Sequence, residues 1–331
     1  MRTQRGFTLL EVLLAAAVTA LLAGLLLALI AQVLATWTRV TGKLSADAQA
    51  TLILDQVAAD LEAALIRWDD GVSFAATVQR DQSGAGDAGM TGAAWPDEAK
   101  PRGAESLRLR PASGDLRDAR YGHAGVWLRF FTAAPDSNTD ATNRSAPRAV
   151  AYQVVRRQTG GRGVYHLYRS QVRPGGIDPS TFSTGYDLFA SGYTTPNGSA
   201  QHPGNVRRPN VTFLLGNHVV DFGVRIETRR ADGTWGTVFP ATDDASSFLS
   251  TSRPGAEPAG YAGRPVTRGI PAAVDVMVRV LDEDGATRIA HLEAGRLAPP
   301  AGVTRAEYWW QLAEAHSRVH TRRIVLPAVV R

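Results

Sequence analysis

The sequence predicts an α+β protein: a long N-terminal helix, first membrane-spanning and then amphipathic, packed on a β-rich, mainly antiparallel globular head. Three observations carry this prediction. Residues 12–31 (VLLAAAVTALLAGLLLALIA) form twenty positions without a charge, with Thr19 as the single polar side chain. That is about the length a helix needs to cross a bilayer. Leu54, Val57, Ala58, Leu61 and Leu65 then recur at helical spacing. From residue 105 onward, short alternating or aromatic runs dominate, and Gly 32 with Pro 18 imply many turns between them.

At 331 residues the chain is long enough for one large or two ordinary domains with ample core. Its 44% hydrophobic and 20% charged residues fit a globular protein. Cysteine is absent, which excludes disulfides, thiolate catalysis and cysteine-ligated zinc. Export is not excluded, because a domain of this size needs no staples. The net charge of +5 is spread along the chain, and no Lys/Arg block argues for nucleic acid.

The N-terminal run admits three readings. A secretory signal has an apolar core of about 7–15 residues followed by a small-x-small cleavage site; this run is longer and passes into a helix-like pattern. A plain single-pass anchor accounts for the length, with Arg2 and Arg5 keeping the N-terminus cytoplasmic. It does not account for Glu11, an acid at the mouth of the run, which costs energy unless it snorkels or pairs. Gly6-Phe7-Thr8-Leu9-Leu10-Glu11 resembles the cleavage and methylation signal of type IV prepilins and type II secretion pseudopilins. The resemblance implies a short basic leader, MRTQRG, cut between Gly6 and Phe7 by a prepilin peptidase, and N-methylation of Phe7. It makes Glu11 an assembly and register device, pairing with the N-terminal amine of a neighbouring subunit.

The helical pattern continues past Trp37 as KLSADAQATLILDQVAADLEAALIRW. Asp47, Gln49, Asp55, Gln56, Asp60 and Glu62 fall to the faces away from its apolar stripe. Ser45 and Asp47 at one end and Arg67 at the other suit the helix dipole. Residues 8–67 form one expected stem on the order of 90 Å long at 1.5 Å per residue. Gly42 is compatible with a kink or with an unbroken helix.

Residues 68–104 read as a flexible loop; Gly84–Gly89 matches G-x-G-x-x-G but lacks the flanking strand and helix of a nucleotide site. Strands are expected at 105–110, 125–132, 149–155, 163–169, 218–228, 272–282 and 322–330. The stretches near 170–207 and 240–268 read as long surface loops. Asp282-Glu283-Asp284-Gly285 reads as a hairpin turn. Thr304 with Glu307 opens a capped helix before YWWQLAEAH. VVDFGVRIET, DGTW, PAAVDVMVRVLDEDG and a basic terminal strand, in that order, resemble the J-type minor pseudopilins.

Little points to catalysis. Asp136–Asp140 begins like a calcium loop but has Ala141 and Pro147 where a glycine and a glutamate belong. Glu314, His316 and His320 are the nearest approach to a metal cluster, the histidines sharing a helical face; capping or surface roles fit them better. No G-x-S-x-G elbow is present. Tyr308-Trp309-Trp310 suits core packing first and an interface second.

The expected organisation is a leader (1–6), a transmembrane helix (7–35), an amphipathic continuation (36–67), the loop (68–104) and an exported head (105–331). The resemblance implies a non-enzymatic, cofactor-free minor pseudopilin-like or pilin-like subunit with no metal site. It spans a bacterial inner membrane once, head in the periplasm, and assembles into a filament, its bulky head favouring the tip. The implied partners are prepilin peptidase, other pilin or pseudopilin subunits, an inner-membrane assembly platform and membrane lipid. The alternative is a membrane-anchored periplasmic enzyme or binding protein.

Overall fold

The structure, a computed structural model, describes residues 9–78, 107–122, 125–135, 147–159, 162–172, 185–189, 213–230, 232–242, 246–255 and 265–327. The chain divides into two compact units, Met1–Ser45 and Ala46–Arg331. Helix α1 (Leu9–Glu62, 54 residues) belongs to both and runs through Thr41 and Gly42 without interruption.

The helix ends five residues earlier than expected. Ala64 bridges to Thr132, and the Leu65 N–H donates to the Phe131 carbonyl at 2.8 Å. The backbone exchanges helical bonds for sheet bonds as soon as it reaches the sheet. Arg67 therefore lies beyond the helix, where it pairs with Asp69 at 2.7 Å.

The α+β architecture holds. Seven strands form one sheet: β1 (Phe74–Val78), β2 (Val126–Thr132), β3 (Arg148–Thr159), β4 (Arg162–Val172), β5 (Leu214–Asn217), β8 (Ser247–Ser250) and β9 (Val266–Arg268). Their order is β5-β4-β3-β2-β1-β8-β9. Four form the second sheet, ordered β11-β10-β6-β7: β6 (Val219–Arg229), β7 (Trp235–Phe239), β10 (Ala273–Leu281) and β11 (Ser317–Val325). All pairings are antiparallel except β8 with β9.

Period-two alternation places the core. Phe74, Ala76 and Val78 of β1, with Leu128 and Phe130 of β2, join the main cluster, together with α1 and the valines of β10. Ala75, Trp127, Phe131 and Ala151 point to the opposite face, which a second cluster covers. The middle of the seven-stranded sheet is thus buried on both sides, which explains why β1 and β2 read as unbroken apolar runs, while the edge strands β5 and β9 keep exposed residues. His218, with a φ of 56°, is the corner at which the chain leaves β5 of one sheet and enters β6 of the other.

Several expectations are corrected. Strand β1 interrupts the loop expected over 68–104, and β8 and β9 interrupt the one expected over 240–268. The expected strand at 105–110 reduces, within the described residues, to a bridge between Arg108 and Arg120. The expected hairpin turn at 282–285 opens a helix, α2 (Glu283–Glu293). Asp282 is its N-cap, accepting from the Gly285 N–H at 2.8 Å, with Glu283 and Asp284 in the first turn. Thr304 caps α3 (Arg305–Ala315) through the Glu307 N–H at 3.1 Å, as the sequence indicates. The last strand begins at Ser317, five residues before its expected start. Gly84–Gly89 and Asp136–Asp140 lie outside the described residues.

Candidate assembly helix and its anchorage

From Leu9 to Leu34, α1 is apolar over 26 residues, with a mean hydropathy of 2.7 and none of its most apolar stretch buried within the protein. By length and composition it meets the requirement for one membrane crossing. A helix satisfies its own backbone groups in lipid, and its aliphatic side chains lose nothing there. Glu11 sits in the first turn, exposed, at the end where the helix dipole favours a carboxylate. The expected cleavage residues Gly6 and Phe7 lie outside the described residues.

Within the second unit, the last turns of α1 are built into the head. Ile53, Leu54, Val57 and Leu61 are buried against both sheets. At about 1.5–3 kcal/mol for each side chain, this face contributes on the order of 6–12 kcal/mol. The approach to β5 is close: a Cβ on Gly216 would stand 2.6 Å from the Ile53 Cδ1. Gly216 is the gap that lets the helix seat.

One acid lies in the middle of that apolar face. Asp60 is three residues after Val57 and adjacent to Leu61, so helical geometry turns it inward, and it is fully buried. Arg169 on β4 meets it in a fork, Nε to Oδ2 at 2.6 Å and Nη2 to Oδ1 at 2.9 Å. The Tyr152 hydroxyl on β3 donates to the same Oδ2, and Thr132 Oγ1 on β2 donates to the Asp60 carbonyl at 2.8 Å. Burial, and then the Asp60 charge, push the Tyr152 hydroxyl well above its usual pKa, so it stays a donor. Burial alone pulls the Arg169 guanidinium down, but its bonds to Asp60 hold it above its ordinary range. The sequence assigns Asp60 to an outer face; the structure makes it the polar pin between α1 and three strands. The spacing from Ile53 through Val57 to Asp60 is the signal that identifies it.

A second attachment is electrostatic. Strand β11 is an edge strand, and Arg318, His320 and Arg322 alternate onto the side facing α1. Asp47 takes Arg318 at 2.7 Å and His320 Nε2 at 3.1 Å, while Asp55 pairs with Arg322. These contacts separate the expected cluster of Glu314, His316 and His320. His316 is the C-cap of α3, with Asp282 3.5 Å from its Nδ1; His320 lies on a strand, and Glu314 pairs with Arg120 at 2.7 Å. The shared helical face does not exist, because the helix stops between the two histidines.

Trp309 and Trp310 are core residues, 3% and 1% exposed, with ring centroids 5.0 Å apart. Trp309 Nε1 donates at 3.0 Å to Glu293, the last residue of α2. Arg156 donates to the same carboxylate at 2.7 Å, and Tyr165 also binds it. Glu293 thereby ties both short helices to β3 and β4.

Residues 1–27 match the family model described as the prokaryotic N-terminal methylation motif. The match takes in the basic leader, the Gly6–Glu11 segment and most of the apolar run, and it ends before the head. No curated protein and no solved structure matches the chain. The motif and the apolar helix together support a pilin-type or pseudopilin-type subunit, a class composed generally of structural rather than enzymatic proteins.

Proposed function

We propose that the chain is a minor pilin-like or pseudopilin-like subunit, most like the J-type of type II secretion, whose work is packing rather than catalysis. The observation that carries this reading is the match of residues 1–27 to the N-terminal methylation motif, continuous with an apolar helix of 26 residues. A prepilin peptidase cuts between Gly6 and Phe7, and Phe7 is methylated at its new amine. The helix waits in the inner membrane with the leader cytoplasmic and the head exported, as Arg2 and Arg5 favour. Glu11 then pairs with the N-terminal amine of a neighbouring subunit, which removes the cost of a lone carboxylate at membrane depth. The J-type assignment rests on the order of the VVDFGVRIET, DGTW and PAAVDVMVRVLDEDG segments before a basic last strand. The bulk of the head favours the filament tip over the repeating position.

The deciding experiment is the intact mass and N-terminal sequence of the protein extracted from its own membranes. The expected chain begins at N-methylated Phe7. A chain that keeps Met1–Gly6, or one cut after the apolar run, rejects the filament reading in favour of an anchored enzyme or binding protein.

A further inference from the structure

The ladder between β4 and β5 spans only His166–Tyr168, although β4 itself begins at Arg162. Asn217, the last residue of β5, stands opposite His166, and at His218 the chain turns away into the other sheet. A continuing β5 would have run beside Tyr165, Val164, Gly163 and Arg162 in turn. A cavity of about 140 Å³ lies there, lined by these four residues and by His218. Successive side chains of a strand point to opposite faces, so a cavity bordered by four consecutive residues follows the strand's edge rather than one face.

The opposite wall is helix α2, where Ala286, Ile289 and Ala290, together with Leu281 before it, make the lining apolar. Protein interiors are close-packed, and a cavity of roughly 150 Å³ already admits a benzene-sized group. The two walls are tied to each other. Arg156 lies across Gly163 and pairs with Glu293 of α2 at 2.7 Å, and Tyr165 binds the same carboxylate. The cavity is therefore preformed, which lowers the cost of filling it. Two exposed charges stand at its rim, Arg162 from β4 and Glu283 from the first turn of α2. Among the described residues, neither forms an ion pair.

We propose that this cavity is a docking site for an extended peptide segment of a partner protein. The segment adds as a short strand beside Arg162–Tyr165, in the place β5 leaves, and sets one phenylalanine-sized side chain against α2. The strand edge supplies main-chain hydrogen bonds, and the cavity supplies selectivity for the side chain. The rim sets the charge of the occupant: an acid flanking the apolar anchor answers Arg162, and a base on its other flank answers Glu283. Burial holds the His218 imidazole below its ordinary pKa, so near neutral pH it is uncharged and offers one more hydrogen bond where β5 stops. The site lies wholly within the head and does not depend on how the N-terminus is processed.

The test uses the full chain in lipid nanodiscs, which keeps detergent out of the cavity. The probe is a six-residue peptide, capped at both ends, with a central phenylalanine between a glutamate and a lysine and threonine elsewhere. Binding is read by calorimetry, and its place by amide hydrogen exchange. The peptide is expected to bind and to slow exchange at 162–165. Replacing its phenylalanine by alanine should weaken it about tenfold or more, and methylating its backbone nitrogens should abolish binding. Ala286→Leu fills the cavity from α2 and should abolish binding without lowering the melting temperature. Arg162→Glu, a change at an exposed position, should weaken this peptide and favour one whose glutamate is replaced by lysine. Arg288→Gln, on the same helix and paired with Asp284, should change nothing. The proposal is overturned if no peptide binds, or if the phenylalanine and alanine peptides bind alike. It is equally overturned if exchange slows elsewhere than at 162–165, or if Ala286→Leu binds as the parent does. Competition by free phenylalanine amide as strong as that of the peptide also overturns it, because the site would then take a small molecule and not a strand.

Discussion

Arg169 on β4 and Asp60 on α1, 109 residues apart in sequence, form a two-pronged ion pair with a carboxylate that is fully removed from water. Such a pair adds little net stability over an apolar replacement, but it is costly to break from one side. It also ties one residue of the helix to one residue of β4, because both prongs of the Arg169 fork are taken by Asp60. The expected result for Asp60→Asn or Arg169→Met is a loss of about 3–5 kcal/mol. The double replacement Asp60→Leu with Arg169→Met should recover most of that. Urea unfolding of the full chain in detergent measures both.

Asp221 predicts how stability changes with pH. Its folded value, raised to about 7 by burial, lies above the ordinary 3.8, so the folded state holds the proton longer. Below the ordinary value both states are protonated and no penalty exists. As pH rises toward the folded value the penalty grows, and above it the penalty is complete. Stability attributable to this group therefore falls between about pH 4 and pH 7, by something on the order of 4 kcal/mol. Asp221→Asn should flatten that part of the melting-temperature profile.

The two acids of α1 that face β11 should differ in weight. Asp55 and Arg322 are 57% and 41% exposed, and Asp55→Ala is expected to cost well under about 1 kcal/mol. Asp47, 25% exposed with two cationic partners, should cost more and lose its advantage in high salt. Thermal melts at two ionic strengths separate them.

Gly223 on β6 lies under the Tyr121 ring, and a Cβ there would stand 2.2 Å from it. The ring cannot yield easily, because its hydroxyl donates at 2.8 Å to the Val224 carbonyl. Gly223→Val should lift the 107–122 segment off the sheet and cost about 1–3 kcal/mol. Proteolysis within that segment, faster in the variant than in the parent, is the readout.

Glu11→Val tests the assembly role proposed for that acid. Its expected result is a chain still processed to Phe7 but no longer recovered with other pilin-type subunits. Loss of processing as well would place Glu11 in the peptidase signal instead.

Much of this architecture is legible in the sequence because it depends on period. The alternation of β6 and β10, the twenty uncharged residues after Glu11 and the Thr304–Glu307 cap each have one structural meaning. What escapes is decided by partners far along the chain. Asp282–Gly285 has the chemistry of a turn and equally of a helix N-cap, and the helix follows because Ile289 and Leu292 find the core. Asp60 reads as a surface acid until Arg169 and Tyr152 are brought to it. His316 and His320 share helical spacing, but the backbone straightens between them to pair with β10.

The contact of Arg318 with Asp47 spans 271 residues, nearly the whole of the second unit. During synthesis this side of α1 stays bare until the final strand emerges and slides in beside β10. The head therefore closes last at the place where it opened, and premature termination anywhere before Ser317 leaves the helix without its charged border. Non-local closure of this kind is slow, so a newly made chain should pass through an interval in which α1 has formed and its charged border is still missing.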